Sequence, residues 1–485
     1  MCSVFGFLTS HYTGYAKSAM SQVFEAAQDR GRDSWGLWYQ VHEGAADHEP
    51  FGVAELFKPG DAPRTPFSSF GMNRDWSMMG VGNRRGEPTT EWVQAKSHWD
   101  VQPFTSPSGQ WVFTHNGTIA NDREIVARYP QWTEQTRIDS YAIGMSLDAV
   151  GWEMTVTRQL QGSFALIAFH VDEPGKLYWA TNYKPLYALT LEHGGVRTTL
   201  LSSLERHFRD LNPRDDLSQP VPQPLGPYRY GTVFTNGIIG ENKPLMPLKP
   251  AADRKVLVIC SGGLDSATVA WYYHKTGFKV DLLFFDYGAK AGDPEAQAVK
   301  ALAERGGFQV VTLRTDFFSQ HATSALTDAN VAINKAGDEG AEFAHEWVPA
   351  RNTVMIALAV AYAEKHGYDI ISLGSNMEEG GAYPDNEMEF VNRWNALLPF
   401  AVKPYTRMKI TDPCGGMVKH EIVALGKGLG DMPWKVTWSC YQGVERFDPL
   451  DSYIDTVHCG ECGPCKMRRK AFTMAKVEDP TVYAT

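Results

Sequence analysis

The sequence has little that would tie it to a membrane, a secretory route or a polyanion. No apolar run reaches the ~18 residues needed to cross a bilayer, and the opening Met1-Cys2-Ser3-Val4-Phe5-Gly6 has no basic stretch ahead of an apolar one. Cysteine is scarce, at seven in 485 residues, and an odd set clustered toward the C-terminus is no secreted disulfide framework. Basic residues are outnumbered, 46 against 56, so the net charge of −10 gives no global attraction to a phosphate backbone. The densest basic run, Lys466-Met467-Arg468-Arg469-Lys470, is short and adjoins cysteines, as a helix start facing solvent or a phosphate would. No internal repeat is present. These absences predict a cytoplasmic protein without a membrane partner. The length exceeds what one hydrophobic core usually serves, so two or three domains are expected.

What is present divides in two. Segments 3–10, 35–44, 110–119, 163–172 and 176–191 are rich in aromatic and β-branched residues and predict strands, with helices near 15–29 and 139–150. Stacked antiparallel sheets covered by helices (an α+β arrangement) are the expected fold of residues 2–237. Residues 238–254 are rich in Pro, Lys and Gly and predict a linker. From 255 to 485 apolar runs such as Lys255-Val256-Leu257-Val258-Ile259 alternate with amphipathic helices, which predicts a doubly wound parallel sheet of the α/β class.

Cys2 stands where removal of Met1 would give one residue both a thiol nucleophile and an α-amine of pKa ~7.7, fit to act as its base. Taken with Arg30-Gly31-Arg32-Asp33-Ser34-Trp35-Gly36, Gly80-Val81-Gly82-Asn83-Arg84-Arg85, His115-Asn116-Gly117-Thr118 and Asp139-Ser140, the opening resembles the N-terminal-nucleophile glutaminase domains of class II amidotransferases, in the family's order. The resemblance implies a four-layer αββα fold. It also implies Cys2 as nucleophile, Arg85 on the α-carboxylate of glutamine, Asp139 on its α-ammonium, and the Asn116 side chain with the Gly117 N–H as oxyanion donors. Ser3 replaces the usual Gly, and Asn83 replaces the His of the family's Gly-His-x-Arg. A retained Met1 would block the amine.

Ser261-Gly262-Gly263-Leu264-Asp265-Ser266 lies between a predicted strand and a predicted helix, where backbone N–H groups and two hydroxyls can cradle a pyrophosphate. No lysine follows, so this is not a Walker A loop. It resembles the PP-loop of the ATP pyrophosphatases, a HUP-like fold, which implies ATP and Mg2+. Cys459, Cys462 and Cys465 have C-x2-C-x2-C spacing and Cys440 adds a fourth thiol, a set suited to a closed structural zinc site. An iron–sulfur cluster is the other reading. Cys260 and Cys414 fit structural positions.

With this knuckle, and with Phe285-Asp286-Tyr287-Gly288, Val348-Pro349-Ala350-Arg351-Asn352, Tyr383-Pro384-Asp385, Lys419 and Thr437-Trp438-Ser439-Cys440, residues 255–473 resemble the 7-cyano-7-deazaguanine synthases. Those enzymes adenylate 7-carboxy-7-deazaguanine, capture ammonia as an amide, then activate the amide and expel its oxygen to leave a nitrile. The resemblance implies Arg351 and Lys419 as cations on phosphate or developing charge, and Tyr383 and Asp385 beside the base. Departures cluster near the substrate: Ala289-Lys290-Ala291 replaces Gln-Arg-His, Gly380 replaces an aromatic, and Asn386-Glu387 replaces Cys-Arg. Three functions are therefore expected alternatives. One is a glutamine- and ATP-dependent ligase giving amide or nitrile on the free base. Another is an archaeosine-type amidotransferase acting on a nitrile in tRNA or DNA. The third is a ligase attaching the activated base to an amine of a protein. A homo-oligomer is expected in each case.

Overall fold

The computed structural model describes residues 2–29, 34–43, 46–47, 51–56, 67, 76–85, 100–133, 135–211, 221–237, 239–246, 249–322, 324–333, 346–380, 383–404, 406–448 and 453–484. Met1 and residues 30–33 of the glutaminase-like motif lie outside them. The chain divides into two compact units, Met1–Pro247 and Leu248–Thr485. No helix among the described residues is long and apolar enough to cross a membrane.

In the first unit, two antiparallel sheets of eight and six strands stack face to face. The strand Ser3–Thr9 shows why. Its even side chains Val4 and Leu8 join Val81, Val112, Ile167 and Trp179 in the core between the sheets. Its odd side chains Phe5 and Phe7 join Met20, Val23 and Phe24 of the helix Gly14–Ala26. A period of two therefore buries both faces of a central strand. On the far side of the six-stranded sheet, the helix Tyr141–Met154 sets the Tyr141 ring edge-on to Phe104 at 6.2 Å.

Two expectations need correction. Residues 176–191 are two strands, Lys176–Thr181 and Tyr187–His193, in different sheets. Between them Asn182 Oδ1 accepts from the amides of Phe164 and Tyr183, and Pro185 has no N–H to offer a ladder. Part of the predicted linker is also a strand: Ile239–Pro244 pairs with Arg229–Phe234 across a bulge. Main-chain pairing at an exposed edge holds it, which its Gly, Asn and Lys content does not advertise.

The second unit is built on a five-stranded parallel sheet, Gln309–Arg314, Lys279–Asp286, Lys255–Ile259, Ile370–Ser372 and Lys409–Thr411 in spatial order. Numbered along the chain this order is 3-2-1-4-5, so the winding reverses beside Lys255–Ile259. In open α/β sheets ligands bind outside the carboxyl ends of the strands at that reversal. The loop 260–263 leaves the sheet there.

Candidate active site and metal centre

In the first unit, pleat and register gather the expected residues. Ser3 pairs with Arg84, so one further step of the same register sets Cys2 opposite Arg85. Both share the parity of Val4, Val81 and Asn83, which face the second sheet. Asn116 shares the parity of Val112, which faces the first sheet. Cys2, Arg85 and Asn116 are thereby directed toward the space between the sheets. Cys2 is partly exposed, whereas Arg85 is buried and its Nη1 donates to Asp100 O at 3.0 Å. Asn83 is also buried, and its Nδ2 donates across the sheets to Thr114 Oγ1 at 3.2 Å. An asparagine at the family's histidine position therefore links the two sheets.

Nδ2 of Asn116 is buried and has no hydrogen-bond partner among the described residues. An orphaned donor costs about 1–3 kcal/mol, so its retention suits an acceptor supplied from outside. Gly117 has φ +150°, and a Cβ there would lie 1.9 Å from Ser163 O, so only glycine fits. Ile119 N donates to Asp139 Oδ2 at 2.5 Å, which ties Asp139 to the strand bearing Asn116. Burial holds the His115 imidazole below its ordinary pKa, despite Asp139 nearby. Its Nε2 lies 3.2 Å from Ser163 O, which can only accept, so the neutral ring is protonated at Nε2 and accepts from Ser140 Oγ at Nδ1, 2.7 Å.

In the second unit, the phosphate-type loop is held from several sides. Gly262 has φ +77°, and a Cβ there would meet Glu295 O at 3.0 Å and Ala298 Cβ at 2.8 Å. Trp438 N donates to Gly262 O at 2.8 Å. Ser261 Oγ accepts from Gly263 N at 3.4 Å, and Ser266 Oγ donates to Gly263 O at 3.4 Å. Leu264 begins the helix Leu264–Lys275, so amides of its first turn, which have no acceptor within the helix, meet the loop. Asp265 Oδ2 accepts from Asn376 Nδ2 at 2.9 Å and pairs with Lys419 Nζ at 3.3 Å. Lys419 is 7% exposed, so this cation is held by the loop's own carboxylate rather than solvated.

A cavity of about 260 Å³ opens over this loop. It approaches the lower end of small-molecule sites and exceeds a packing void. Ser261, Asp265, Ser266, Arg351 and Lys419 line it. Arg351 begins the helix Arg351–His366, and its Nη1 donates to Tyr287 Oη at 3.4 Å. Tyr383 and Asp385 are not on the cavity wall, where Asn386 stands instead. The Tyr383 ring lies parallel to Trp347 with centroids 5.9 Å apart. Asp385 is raised by burial, with Arg351 opposing. Glu295, Asn376 and Trp347 carried no signal in the sequence, because their relevance comes only from tertiary neighbours.

Cys440, Cys459, Cys462 and Cys465 are all buried, with their sulfurs within 4.8 Å of one another. The hairpin Val444–Asp448 with Tyr453–Val457 returns the chain from Cys440 to Cys459. Two sulfur pairs, Cys459–Cys465 and Cys440–Cys462, lie 3.9 Å apart. A disulfide would need ~2.05 Å, whereas a zinc–sulfur bond of ~2.3 Å gives a tetrahedral edge of ~3.8 Å. Amides of Gly443 and Cys459 point at Cys440 Sγ, and that of Cys462 at Cys459 Sγ, as donors to thiolates would. The set is compatible with zinc.

Residues 255–476 match the family model described as "Queuosine biosynthesis protein QueC", and residues 91–206 match "Glutamine amidotransferase domain". The chain is 37% identical to the 7-cyano-7-deazaguanine synthase of Saccharolobus solfataricus, covering 100% of this chain and 99% of that protein. It is also 37% identical to 7-cyano-7-deazaguanine synthase 2 of Sulfurisphaera tokodaii, covering 100% of both. The 7-cyano-7-deazaguanine synthase of Methanothrix thermoacetophila is 36% identical over 47% of this chain and 98% of its own length. Two fused parts are thus shared with full-length relatives, and one part with shorter ones. The chain belongs to the 7-cyano-7-deazaguanine synthases, in a form that joins a glutamine amidotransferase domain to the ATP-dependent one.

Proposed function

We propose that residues 2–237 hydrolyse glutamine, and that residues 255–485 use the nitrogen to convert 7-carboxy-7-deazaguanine to its amide or nitrile at the expense of ATP. The observation that carries this reading is the orphaned Asn116 donor between the sheets, in a chain whose other unit retains a phosphate-type loop. A glutaminase site kept in this state makes most sense if its ammonia is used.

The first unit acts as a four-layer αββα N-terminal-nucleophile domain, a reading supported by its stacked sheets and the helices on their outer faces. Cys2 attacks the side-chain amide of glutamine. Arg85 takes the α-carboxylate, Asp139 takes the α-ammonium, and Asn116 with the Gly117 amide hold the oxyanion. In the second unit, Ser261, Gly262, Gly263, Leu264, Asp265 and Ser266 receive the phosphates of ATP with Mg2+. Arg351 and Lys419 stabilise the charge that develops on adenylation. Tyr383, stacked with Trp347, and Asp385, which precede the wall residue Asn386 in the chain, flank the base where it reaches past the cavity. The four cysteines hold one structural zinc ion. The protein works as a cytoplasmic homo-oligomer.

Asn116→Ala should lower glutamine hydrolysis by about 10²–10³-fold with little change in KM, because its donor acts on the oxyanion rather than on bound glutamine. An unchanged kcat would remove Asn116 from that role. The product is settled by mass spectrometry after incubation with ATP, 7-carboxy-7-deazaguanine and, separately, glutamine, ammonium, tRNA or candidate proteins. Free amide or nitrile with AMP and pyrophosphate is expected. The replacement of Gln-Arg-His by Ala289-Lys290-Ala291 favours a different acceptor as the rival reading, and an adduct on protein or a modified nucleotide in RNA would establish it.

A further inference from the structure

Glu295 stands in the first turn of the helix Gly292–Gly306 and was assigned no part above. An acidic residue there ordinarily faces water and complements the helix dipole. Here its carbonyl oxygen packs against Gly262 of the phosphate-type loop, the residue lines the cavity with Ser261, Tyr287 and Arg351, and its carboxyl is buried within the field of Arg351. Its carboxylate makes no hydrogen bond or ion pair among the described residues. The other acid of the wall, Asp265, is already engaged by Lys419 and Asn376. A carboxylate left uncommitted in a ligand cavity has acceptor capacity to offer.

The chemistry proposed for this cavity strips nitrogen of all three protons of ammonia. When ammonia displaces AMP from the acyl adenylate, a C–N bond forms, the C–O bond to AMP breaks and nitrogen sheds a proton. Adenylation of the amide oxygen leaves two N–H bonds: one proton is shed to give the imidate adenylate, and as that collapses the last N–H bond breaks and its electron pair becomes the third C–N bond. The C–O bond breaks in the same collapse, and the oxygen leaves with AMP. We propose that Glu295 is the proton acceptor of these nitrogen steps, as distinct from the adenylation that precedes them. The proposal rests on the base-activating function given above.

The groups facing Glu295 from neighbouring elements are Arg351, Tyr287 and Cys260. Lys290, also on the wall, gives its ammonium to Val331 O. Burial pushes the Glu295 carboxyl up to about 7, with Arg351 opposing. A base poised near neutral pH is the most effective kind for this transfer. Its basic form appears as pH rises through that value, so amide and nitrile formation should rise across the same window.

The test uses the full-length, metal-loaded protein with ATP, 7-carboxy-7-deazaguanine and ammonium. Two rates are read across pH: substrate-dependent ATP–pyrophosphate exchange, which reports adenylation, and product formation. In Glu295→Gln the ratio of product formation to exchange should fall by about 100-fold or more, and its acidic limb should vanish. Glu295→Asp should restore a limb and part of the rate, which guards against a general folding defect. A ratio that stays put, or a Gln variant that keeps the limb, would overturn the proposal. So would recovery of Glu295→Gln at high Mg2+, which would make Glu295 a cation ligand. Absence of exchange in the unmodified protein would instead sink the base-activating function itself, and this proposal with it.

Discussion

Replacing Cys2 with alanine removes glutamine-dependent synthesis by on the order of 10⁴-fold or more, while synthesis from ammonium persists. The expectation follows from where Cys2 stands. It precedes the strand Ser3–Thr9, opposite Arg85, with a partly exposed thiol on the parity that faces the second sheet. Its replacement removes a nucleophile from the end of a strand whose buried contacts begin at Ser3, so the fold should not suffer. The Asn116 donor, orphaned without ligand, has nothing to stabilise when no tetrahedral oxyanion can form. Activity measured with glutamine and with ammonium separates the two units chemically. If glutamine supports Cys2→Ala as well as the parent, or if intact mass shows Met1 retained, the glutaminase reading fails. If ammonium supports neither, the synthase reading fails.

Contiguous chemistry was readable in the sequence, and tertiary chemistry was not. Ser261–Ser266 and the cysteine knuckle are compact strings whose spacing is itself the constraint, and the structure sets them at the sheet's switch point and in one buried cluster. The pair Lys419–Asp265 joins residues far apart in the chain. From sequence, Lys419 is a bare cation awaiting phosphate; in the fold it stands on the cavity wall paired with the loop's own carboxylate. Asn83 looked like a loss from the family's pattern, yet its partner Thr114 lies on the other sheet, which no local pattern reveals. Glu295 was silent for the same reason, since a first-turn glutamate is so common that only its enclosure distinguishes it. The strand Ile239–Pro244 was hidden because edge strands are held by main-chain bonds, to which composition is blind.

Replacing Cys462 with serine, or stripping the metal with a strong chelator, should cost the second unit about 4 kcal/mol or more and lower its melting by roughly 10 °C. Four buried thiols gathered within 4.8 Å form a site that makes sense only around a cation, because unscreened thiolates would repel and neutral thiols are poor donors. The cluster also anchors its surroundings. Cys462 precedes the helix Gly463–Met474, from which the buried Arg468 donates to Thr437 Oγ1 at 2.8 Å and to Trp434 O at 3.1 Å. Those residues lead into Trp438, whose amide holds Gly262 of the phosphate-type loop. Losing one ligand therefore loosens the turn that positions the loop, and ATP–pyrophosphate exchange should fall together with melting although none of the four knuckle cysteines stands on the cavity wall. Elemental analysis should give one zinc per chain in the parent and a much lower ratio in Cys462→Ser. Iron with visible absorption would replace zinc by a cluster, and a Cys462→Ser protein with full zinc and unchanged melting would show that the four thiols do not act as one site.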